Sequence, residues 1–494
     1  MQARGRSGQA PGPARRWRVA LAGGLVALLV GCATNPVTGE REFALMSEQQ
    51  EIEIGTQLDQ EVRQQMGVYE DQELQAYVEQ IGLRLAGHSQ RPDLPWHFTV
   101  VDVAAVNAFA LPGGYIYLTR GIMAYLDDEA ELAGVIGHEI GHVTARHAVQ
   151  QYTRAAGANI GLALGTIFFP ETRPVADAAQ TGLGLLFLRY GRDDELQADR
   201  LGAEYAAQQG WDPAGVPDML TTLGRLDEQT DRRGIPNWAS THPAPADRVE
   251  RVAETVDRLS GADQAFRVDR AGYLARIDGL VYGDNPEDGV THGSRFLHRD
   301  LRFALEFPDG WQITNEPAQV VAQQPGRDVY VLLQLIEQPQ GRTIEETAVQ
   351  AMRDAGFRRE QGGAAEVNGL SAYVGRYRGR MQSLGEVLTR AGHIRHGANL
   401  FVVAGIAAEA VFPEVEPEFN GAIRSFRALG AEEAASIRPN RVRLYTVRTG
   451  DTWQSIAQGP GEGNVPAATL AIMNHHPVGE QPAGGARIRI VVAG

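Results

Sequence analysis

Residues 127–151 read DDEAELAGVIGHEIGHVTARHAVQQ and contain the motif His138-Glu139-Ile140-Gly141-His142. The stretch has a helical pattern, and histidines four residues apart on a helix share one face. Both imidazoles can therefore reach a single metal ion. Glu139 follows His138 directly, near enough to hold and deprotonate an attacking water. The motif predicts a metal-dependent hydrolase.

The third metal ligand lies outside this motif. A catalytic zinc site usually takes three protein ligands and leaves a fourth position for water. A metzincin would have a third histidine six residues after His142 with a glycine midway, but this chain has Ala148 and Ala145 there. His147 is about 140° from His142 on an ideal helix, so a surface or supporting position is favoured over metal binding. We therefore expect a carboxylate from another helix.

Residues 192–199, RDDELQAD, offer such a carboxylate. Glu195 and Asp199 are four residues apart, so both can face the first helix. One could bind zinc while the other accepts a hydrogen bond from a ligand histidine and fixes its tautomer. Asp193 and Asp194 are interpreted as acidic residues at a helix N-terminus, where the macrodipole favours them. The same interpretation is the alternative for Glu195 and Asp199.

The two motifs together resemble the gluzincin family of the CAAX prenyl protease and HtpX, which includes bacterial periplasmic members such as BepA and LoiP. The resemblance spans about residues 35 to 258. It is carried as well by residues 35–55 (NPVTGEREFALMSEQQEIEIG), residues 107–115 (NAFALPGGY), and Thr241-His242-Pro243 with Arg248.

The resemblance implies a zinc endopeptidase with one zinc ion per chain. The ligands it implies are His138, His142 and Glu195. It implies that Glu139 is the general base and that Asp199 supports the ligands from behind. The histidine that matches His242 lies close to the zinc in related proteins, where it could stabilise the oxyanion or occupy the open position as a switch. A structural histidine in a turn is the alternative for His242.

Asn107, Gly113, Gly114 and Tyr115 are the candidate substrate-binding residues. The glycines permit a tight bend, and residues 115–118 (YIYL) are rich in strand formers. An edge strand beside the zinc helix could pair with an extended peptide through backbone hydrogen bonds. Such pairing reads little side-chain identity, which suits a protease of misfolded chains. An ordinary interior strand is the alternative.

The N-terminus resembles a bacterial lipoprotein signal. Arginines precede an apolar run, residues 19–30, and Leu29-Val30-Gly31-Cys32 follows. The run is too short to span a bilayer. We expect cleavage before Cys32 and lipidation of that residue; a signal anchor is the alternative. By analogy with lipoproteins, Ala33 favours the outer membrane of a Gram-negative envelope. Cys32 is the only cysteine, which excludes a disulfide within one chain.

Length and composition fit a globular protein of several domains. Cleavage after residue 31 would leave 463 of the 494 residues, enough for two to four domains. The apolar fraction is 43% and the charged fraction 22%, as in soluble globular chains. The formal net charge of −15 argues against a nucleic-acid partner.

The predicted fold class is α+β, and the chain is expected to be multidomain. A signal peptide (1–31) precedes a mainly helical, zincin-type peptidase domain with a small antiparallel sheet (32–270). A linker (271–292), rich in turn-forming residues, leads to an α+β accessory domain (293–430) and a LysM-like βααβ domain (441–494). Ser47 to Gln50 is interpreted as a capping box, and the apolar segments 160–169 and 183–190 as a helical hairpin or a membrane-facing lid.

The C-terminal domains carry no predicted catalytic cluster. The accessory domain is expected to bind or to act as a spacer, with His393 and His396 structural or solvated. Residues 445–453, YTVRTGDTW, resemble a LysM module. Such modules often bind N-acetylglucosamine polymers; a structural cap is the alternative. His475 and His476 are interpreted as surface residues.

The sequence thus predicts a lipid-anchored zinc endopeptidase of the bacterial envelope. Its expected substrates, by family resemblance alone, are misfolded or unassembled envelope proteins. The other expected partners are the membrane, through the lipid, and peptidoglycan, through the LysM-like module. Two other functions compete with this interpretation, a chaperone-like outer-membrane assembly factor and a peptidoglycan-binding scaffold.

Overall fold

The computed structural model describes residues 32–44, 46–154, 190–229, 238–242, 247–261, 264–316, 319–336, 339, 341–381 and 384–493. The expected signal peptide and nearly all of the two apolar segments lie outside the described residues. Within the described part of the chain, no helix is both long enough and apolar enough to cross a membrane.

Helices predominate up to residue 277, and strands predominate in residues 281–408. The helices are α1 (Glu48–Met66), α2 (Gln72–Ala86), α3 (Arg120–Met123), α4 (Glu129–Thr144), α5 (Arg192–Gln208), α6 (Gly215–Gln229), α7 (Trp238–Thr241), α8 (Arg248–Leu259), α9 (Arg270–Ile277), α10 (Ile344–Asp354), α11 (Phe412–Ser425), α12 (Ala431–Ser436), α13 (Trp453–Gln458) and α14 (Ala467–Met473). Residues 147–154 are also helical.

The strands form small sheets and one large sheet, so the chain is α+β as predicted. They are β1 (Cys32–Thr34), β2 (Arg41–Phe43), β3 (His97–Val101), β4 (Ala108–Leu111), β5 (Tyr115–Thr119), β6 (Val281–Tyr282), β7 (Val290–His292), β8 (Arg295–His298), β9 (Phe303–Glu306), β10 (Gln312–Glu316), β11 (Gln319–Gln323), β12 (Tyr330–Leu335), β13 (Arg358–Val367), β14 (Leu370–Met381), β15 (Gly385–His396), β16 (Asn399–Ala408), β17 (Arg427–Ala428), β18 (Asn440–Thr446) and β19 (Arg487–Ala493).

Local capping signals set the starts of the helices that position the site. Ser47 and Gln50 form the predicted capping box at the start of α1. Asp128 caps α4, because its side chain accepts a hydrogen bond from the backbone of Glu131. Helix α4 ends at Thr144, and Arg146 has a φ of 61°, so the next helical segment takes a new direction.

Helices α4 and α5 approach each other almost backbone to backbone. A Cβ atom at Gly137 would lie 3.0 Å from the Cα of Gly202, and one at Gly141 would lie 3.1 Å from the Cα of Ala198. Small residues therefore line the points of closest approach, which brings the HEIGH motif of α4 against the acidic motif of α5. Larger side chains at these positions would separate the two motifs.

The three-stranded sheet beside α4 has the order β3-β5-β4. Strand β5 is therefore the central strand, parallel to β3 and antiparallel to β4, so the small sheet predicted to be antiparallel is mixed. The prediction of an edge strand at residues 115–118 is wrong, and the interior alternative is correct. The outer strand next to α4 is β4 (Ala108–Leu111), and all four of its residues are buried.

The accessory region has a seven-stranded antiparallel sheet in the order β10-β11-β12-β16-β15-β14-β13. This region also contains helices α10 and α11, in agreement with the α+β class predicted for it. Helix α11 packs tightly on the sheet, because a Cβ at Gly405 would lie only 2.0 Å from the ring of Phe419. His393 is buried in the sheet, and burial lowers the pKa of its imidazole to about 4.

The C-terminal segment has the predicted order of strand, helix, helix and strand: β18, α13, α14 and β19. The predicted linker does not keep this segment apart, however. Residues 270–277 form helix α9, whose Tyr273, Leu274 and Ile277 are buried in one core with residues of both the peptidase region and the C-terminal segment. Strand β6 also pairs with β18. The linker composition is confined to residues 283–289.

Charged residues continue this contact at the start of α4. Arg489 is fully buried, and its guanidinium contacts Asp127 at 2.9 Å. His475 Nδ1 lies 3.1 Å from Glu131 Oε1 in the first turn of α4, so His475 is not the surface residue that the sequence suggests. The sequence around His475 gives no indication of this contact, because Glu131 lies more than 300 residues earlier in the chain.

Candidate metal centre

Four buried side chains converge between α4, α5 and the end of α7. They are His138, His142, Glu195 and His242, and one nitrogen or oxygen atom of each lies within 4.8 Å of those of the others. The Nε2 atoms of His138 and His142 are 3.0 Å apart. Glu195 Oε2 lies 3.8 Å from the former and its Oε1 lies 3.7 Å from the latter. The structure thus brings together residues more than 100 positions apart.

Asp199 fixes the orientation of His138. Its Oδ1 lies 2.9 Å from His138 Nδ1, which leaves the lone pair of Nε2 directed at the centre. Burial would by itself raise the pKa of Asp199, but Arg248 and His138 hold it below the usual value. Asp199 is therefore a carboxylate and accepts the proton of Nδ1.

His147 fixes His142 in the same way. Its Nε2 lies 2.9 Å from the side-chain oxygen of Gln197, so Nε2 carries the proton and Nδ1 accepts. The Nδ1 atom of His147 lies 2.9 Å from Nδ1 of His142, which must donate and thereby presents an unprotonated Nε2 to the centre. The ideal-helix angle predicted that His147 points elsewhere; it does not, because α4 ends before it. Its position is the supporting one.

Arg248 links the two carboxylates of α5. Its side chain contacts Glu195 Oε2 at 2.7 Å through Nη1 and holds both oxygens of Asp199 through Nε and Nη2. The sequence contained Arg248 only as part of a motif, and nothing local indicates this role. One buried arginine thus lowers the cost of charging two buried carboxyl groups. Burial still raises the pKa of Glu195 well above its usual value, whereas the pKa of Asp199 is lowered.

Glu139 lies in the centre without a hydrogen-bond partner of its own among the described residues. Its Oε1 is 3.4 Å from His242 Nε2. Burial raises the pKa of Glu139 to about 8, while Arg248 acts in the opposite direction. A carboxyl group with a pKa near neutrality can both take and return a proton.

His242 is held by residues of the short helix that precedes it. Its ring stacks on Trp238 with centroids 4.1 Å apart, and its Nδ1 lies 2.9 Å from the hydroxyl of Thr241. Tyr190 stacks on His142 at 3.9 Å and donates its backbone N–H to Thr241. Sequence reasoning missed Trp238 and Tyr190, since an isolated aromatic residue carries no local signal for a site.

The predicted substrate-binding residues are not in the centre. Gly113 and Gly114 have φ values of 84° and 100° and form the β4–β5 turn. A Cβ on Gly113 would meet the backbone of α1, and one on Gly114 would meet Pro95. Tyr115 is buried and bonds Thr56 of α1. Only Asn107 reaches toward the site, through a 3.4 Å hydrogen bond from Thr241.

The donor set fits a divalent zinc ion. Burial lowers the pKa values of all three histidines, so their rings are neutral and able to bind metal. Ligand atoms about 2.0–2.1 Å from a tetrahedral ion are about 3.4 Å apart, close to the observed 3.0, 3.7 and 3.8 Å. The buried His242 Nε2, which has no hydrogen-bond partner among the described residues, faces the same point.

Comparison with known proteins agrees with this geometry. Residues 72–256 match the model of Peptidase family M48. The matched range contains every residue of the centre described above. Over this range the chain is similar to the metallopeptidases of that family.

Relatives of this chain are also named as proteases. The beta-barrel assembly-enhancing protease of Escherichia coli (strain K12) is 32% identical over 234 residues, 46% of this chain and 48% of that protein. The protein of that name from Yersinia pestis is 26% identical over 362 residues, 69% of this chain and 73% of that protein. Mitochondrial metalloendopeptidase OMA1 of Arabidopsis thaliana is 32% identical over 190 residues, 38% and 37% of the two chains.

The chain spans about half the length of the Escherichia coli relative. The family match and the metalloendopeptidase relatives together support a zinc metalloendopeptidase. The enzyme class predicted from the sequence is therefore confirmed.

Proposed function

We propose that this protein is a lipid-anchored zinc endopeptidase of the bacterial envelope that hydrolyses misfolded or unassembled envelope proteins. The observation that carries the proposal is the buried convergence of His138, His142, Glu195 and His242 beside the carboxyl group of Glu139, which has no hydrogen-bond partner among the described residues. Two neutral imidazoles with fixed tautomers and one carboxylate are the ligand set of a catalytic zinc site.

Each side chain has a part in the proposed reaction. A zinc ion held by His138, His142 and Glu195 would polarise the scissile carbonyl and lower the pKa of its water toward ~7. Glu139 takes the proton of the attacking water and later gives it to the leaving amine. His242 faces the remaining side of the centre, where its Nε2 can donate a hydrogen bond to the oxyanion.

The substrate is proposed to bind along β4. This strand is the outer one of its sheet among the described residues and packs beside α4, so an extended peptide could add to its outer edge and run past the metal ligands. Binding through the backbone would accept many sequences, as a quality-control protease requires. The Escherichia coli relative is named for assisting β-barrel assembly, which supports envelope proteins as the substrate class.

Removal of the metal tests the proposal. We expect the purified protein to contain one zinc ion per chain, and we expect dialysis against a chelator to remove both the ion and the hydrolysis of casein. Zinc added back should restore the activity, because the ligands are already oriented by Asp199 and His147. Casein hydrolysis at an unchanged rate by metal-free protein would contradict the assignment.

The substitution Asp199→Asn should weaken zinc binding without abolishing it. The amide oxygen can still accept from His138 Nδ1, but the charge that interacts with Arg248 and polarises the imidazole is lost. Loss of such a supporting contact typically lowers metal affinity about 10- to 100-fold. Competition with a chromogenic chelator measures the affinity. Asp193→Asn is the matched control, because Asp193 is exposed on the same helix. An equal loss of zinc affinity in both variants would contradict the supporting role of Asp199.

A further inference from the structure

The N-terminal hairpin (residues 32–43) is ordered from its first residue. Strands β1 and β2 pair with Cys32 opposite Phe43 and Thr34 opposite Arg41. Asn35 closes the turn: its backbone N–H donates to Glu40, its carbonyl accepts from Gly39, and its side-chain oxygen accepts from Val37 at 2.8 Å. Cys32 is therefore the first residue of a hydrogen-bonded hairpin.

The same asparagine ties the hairpin to the catalytic helix. Asn35 is 2% exposed, and its Nδ2 donates to the carbonyl of Ala145, the C-cap of α4, at 3.3 Å. A second tie runs from Gln150 Nε2 to Glu42 Oε2 at 2.7 Å. Ala145 is only three residues beyond the metal-ligand candidate His142. The other polar groups of Asn35 hold the turn of the hairpin, and its Nδ2 joins that turn to the end of α4.

A third tie holds the chain just after the hairpin. Arg146, in the left-handed backbone conformation, donates to the carbonyl of Met46 and to Glu51 Oε1, both at 2.7 Å. Left-handed backbone is costly for a residue other than glycine, so the surrounding contacts must maintain it. The chain from residue 32 to residue 51 is therefore attached to the end of the HEIGH helix at several points.

These contacts fix the distance between residue 32 and the metal centre. Three extended residues cover at most about 10 Å, and three helical residues rise about 4.5 Å. With the side chains of Asn35 and His142 included, a lipid on Cys32 would hold the centre within roughly 25 Å of the bilayer surface. A flexible leader of about 40 residues would instead allow an r.m.s. reach of roughly 35 Å, and far more when extended.

We propose that the N-terminal hairpin is a short, rigid leash that keeps the catalytic cleft at the membrane surface. The inference rests on the lipid anchor of the proposed function and narrows its substrate class. The substrates are unfolded segments that lie on the bilayer or emerge from it, and chains free in the aqueous compartment are disfavoured. Substrate and enzyme held at one surface meet at a raised effective concentration without any additional contact.

Energy transfer to labelled headgroups tests the leash in the full-length lipoprotein. Cys32 is the only cysteine and is consumed by the lipid, so Tyr152→Cys introduces a single reactive thiol at a partly exposed position of the helix after α4. The protein is reconstituted in vesicles of phosphatidylethanolamine and phosphatidylglycerol with acceptor-labelled headgroups. We expect strong transfer, and we expect a Gly-Ser spacer of about 20 residues between Cys32 and Ala33 to reduce it at least about twofold, since it adds roughly 25 Å of reach.

A matched insertion controls for chain length. The same spacer at the exposed Asn368-Gly369 turn of the accessory region should leave the transfer unchanged. A second readout is hydrolysis of one unfolded reporter with and without its own lipid anchor. We expect the wild-type lipoprotein to favour the anchored reporter about 10-fold, and the spacer variant to lose most of that preference.

The outcomes separate the leash from the function on which it rests. Equal transfer in the wild type and the spacer variant, in protein that floats with the vesicles, would overturn the leash alone. An N-terminal peptide without lipid, seen by mass spectrometry, would overturn the anchor and the leash together. Failure to cleave casein in detergent would overturn the peptidase assignment and would leave the energy-transfer result standing.

Discussion

Replacement of Glu139 by glutamine is expected to abolish hydrolysis and to leave the zinc content unchanged. The amide has nearly the shape of the carboxylate but cannot take a proton, so the rate should fall about 10²- to 10⁴-fold. Zinc should be retained because Glu139 contacts His242 and none of the three proposed ligands. Casein cleavage and metal analysis on the same samples measure both quantities.

The control for this variant is Glu204→Gln. Glu204 is on α5, its side chain is 28% exposed, and it pairs with Arg200 away from the centre, so its loss should leave the rate unchanged. A Glu139→Gln protein that cleaves casein at the wild-type rate would refute the assigned general base. Loss of zinc from this variant would instead place Glu139 among the ligands.

The same variant distinguishes cutting from holding in cells. A chaperone-like factor could use the cleft to hold outer-membrane proteins with little cleavage. A strain that lacks the protein and receives Glu139→Gln should stay defective in clearing unassembled envelope proteins if the peptidase is the function. Full rescue by the inactive protein would favour the holding function.

Local signals explain how much of the fold could be predicted. The helix that carries HEIGH begins at Glu129, directly after its N-cap Asp128, and it could be predicted because its apolar residues follow a helical spacing. The capping box at Ser47 and the strands of the accessory region have similarly short-range patterns. Spacing also indicated that Glu195 and Asp199 face the same neighbour, since residues four apart on a helix share one face. The choice of Glu195 as the metal ligand came from the family resemblance.

The parts that could not be predicted depend on contacts between distant segments. Arg248 joins Glu195 and Asp199 from another helix, and Trp238 packs on His242, but neither position has a local pattern that indicates it. Strand order is another such property. The amino-acid composition of residues 115–118 suits a central strand as well as an edge strand. Only the parallel pairing with β3 makes this strand the central one.

The linker predicted for residues 271–292 differs from the structure for another reason. The turn-forming residues that indicate a linker lie only at 283–289. The helical spacing of Tyr273, Leu274 and Ile277 was a signal against it, and these side chains are buried in the shared core. The C-terminal segment is consequently packed against the start of α4, the helix that carries the metal-binding motif.

The substitution Arg489→Met should destabilise the peptidase region from a position 350 residues after the HEIGH motif. Arg489 is fully buried on β19 and interacts with Asp127 and with the carbonyls of Ala124 and Leu126, which lead into α4. Methionine has a similar length but provides no donor, so these carbonyls lose a partner. The expected loss is about 3 kcal/mol of the free energy of unfolding, since each unsatisfied buried group costs roughly 1–3 kcal/mol and Arg270 still pairs with Asp127.

Urea unfolding, followed by tryptophan fluorescence and by casein hydrolysis, measures this effect. Arg487→Met is the matched control, two residues earlier on the same strand, and should change the midpoint little because that side chain is exposed. Both probes should show one common transition at a lower urea concentration in Arg489→Met, because the peptidase core and the C-terminal segment share buried side chains. Two separate transitions, with hydrolysis unaffected by the first, would show that residues 440–493 unfold as an independent module and that the contact with α4 contributes nothing to the catalytic helix.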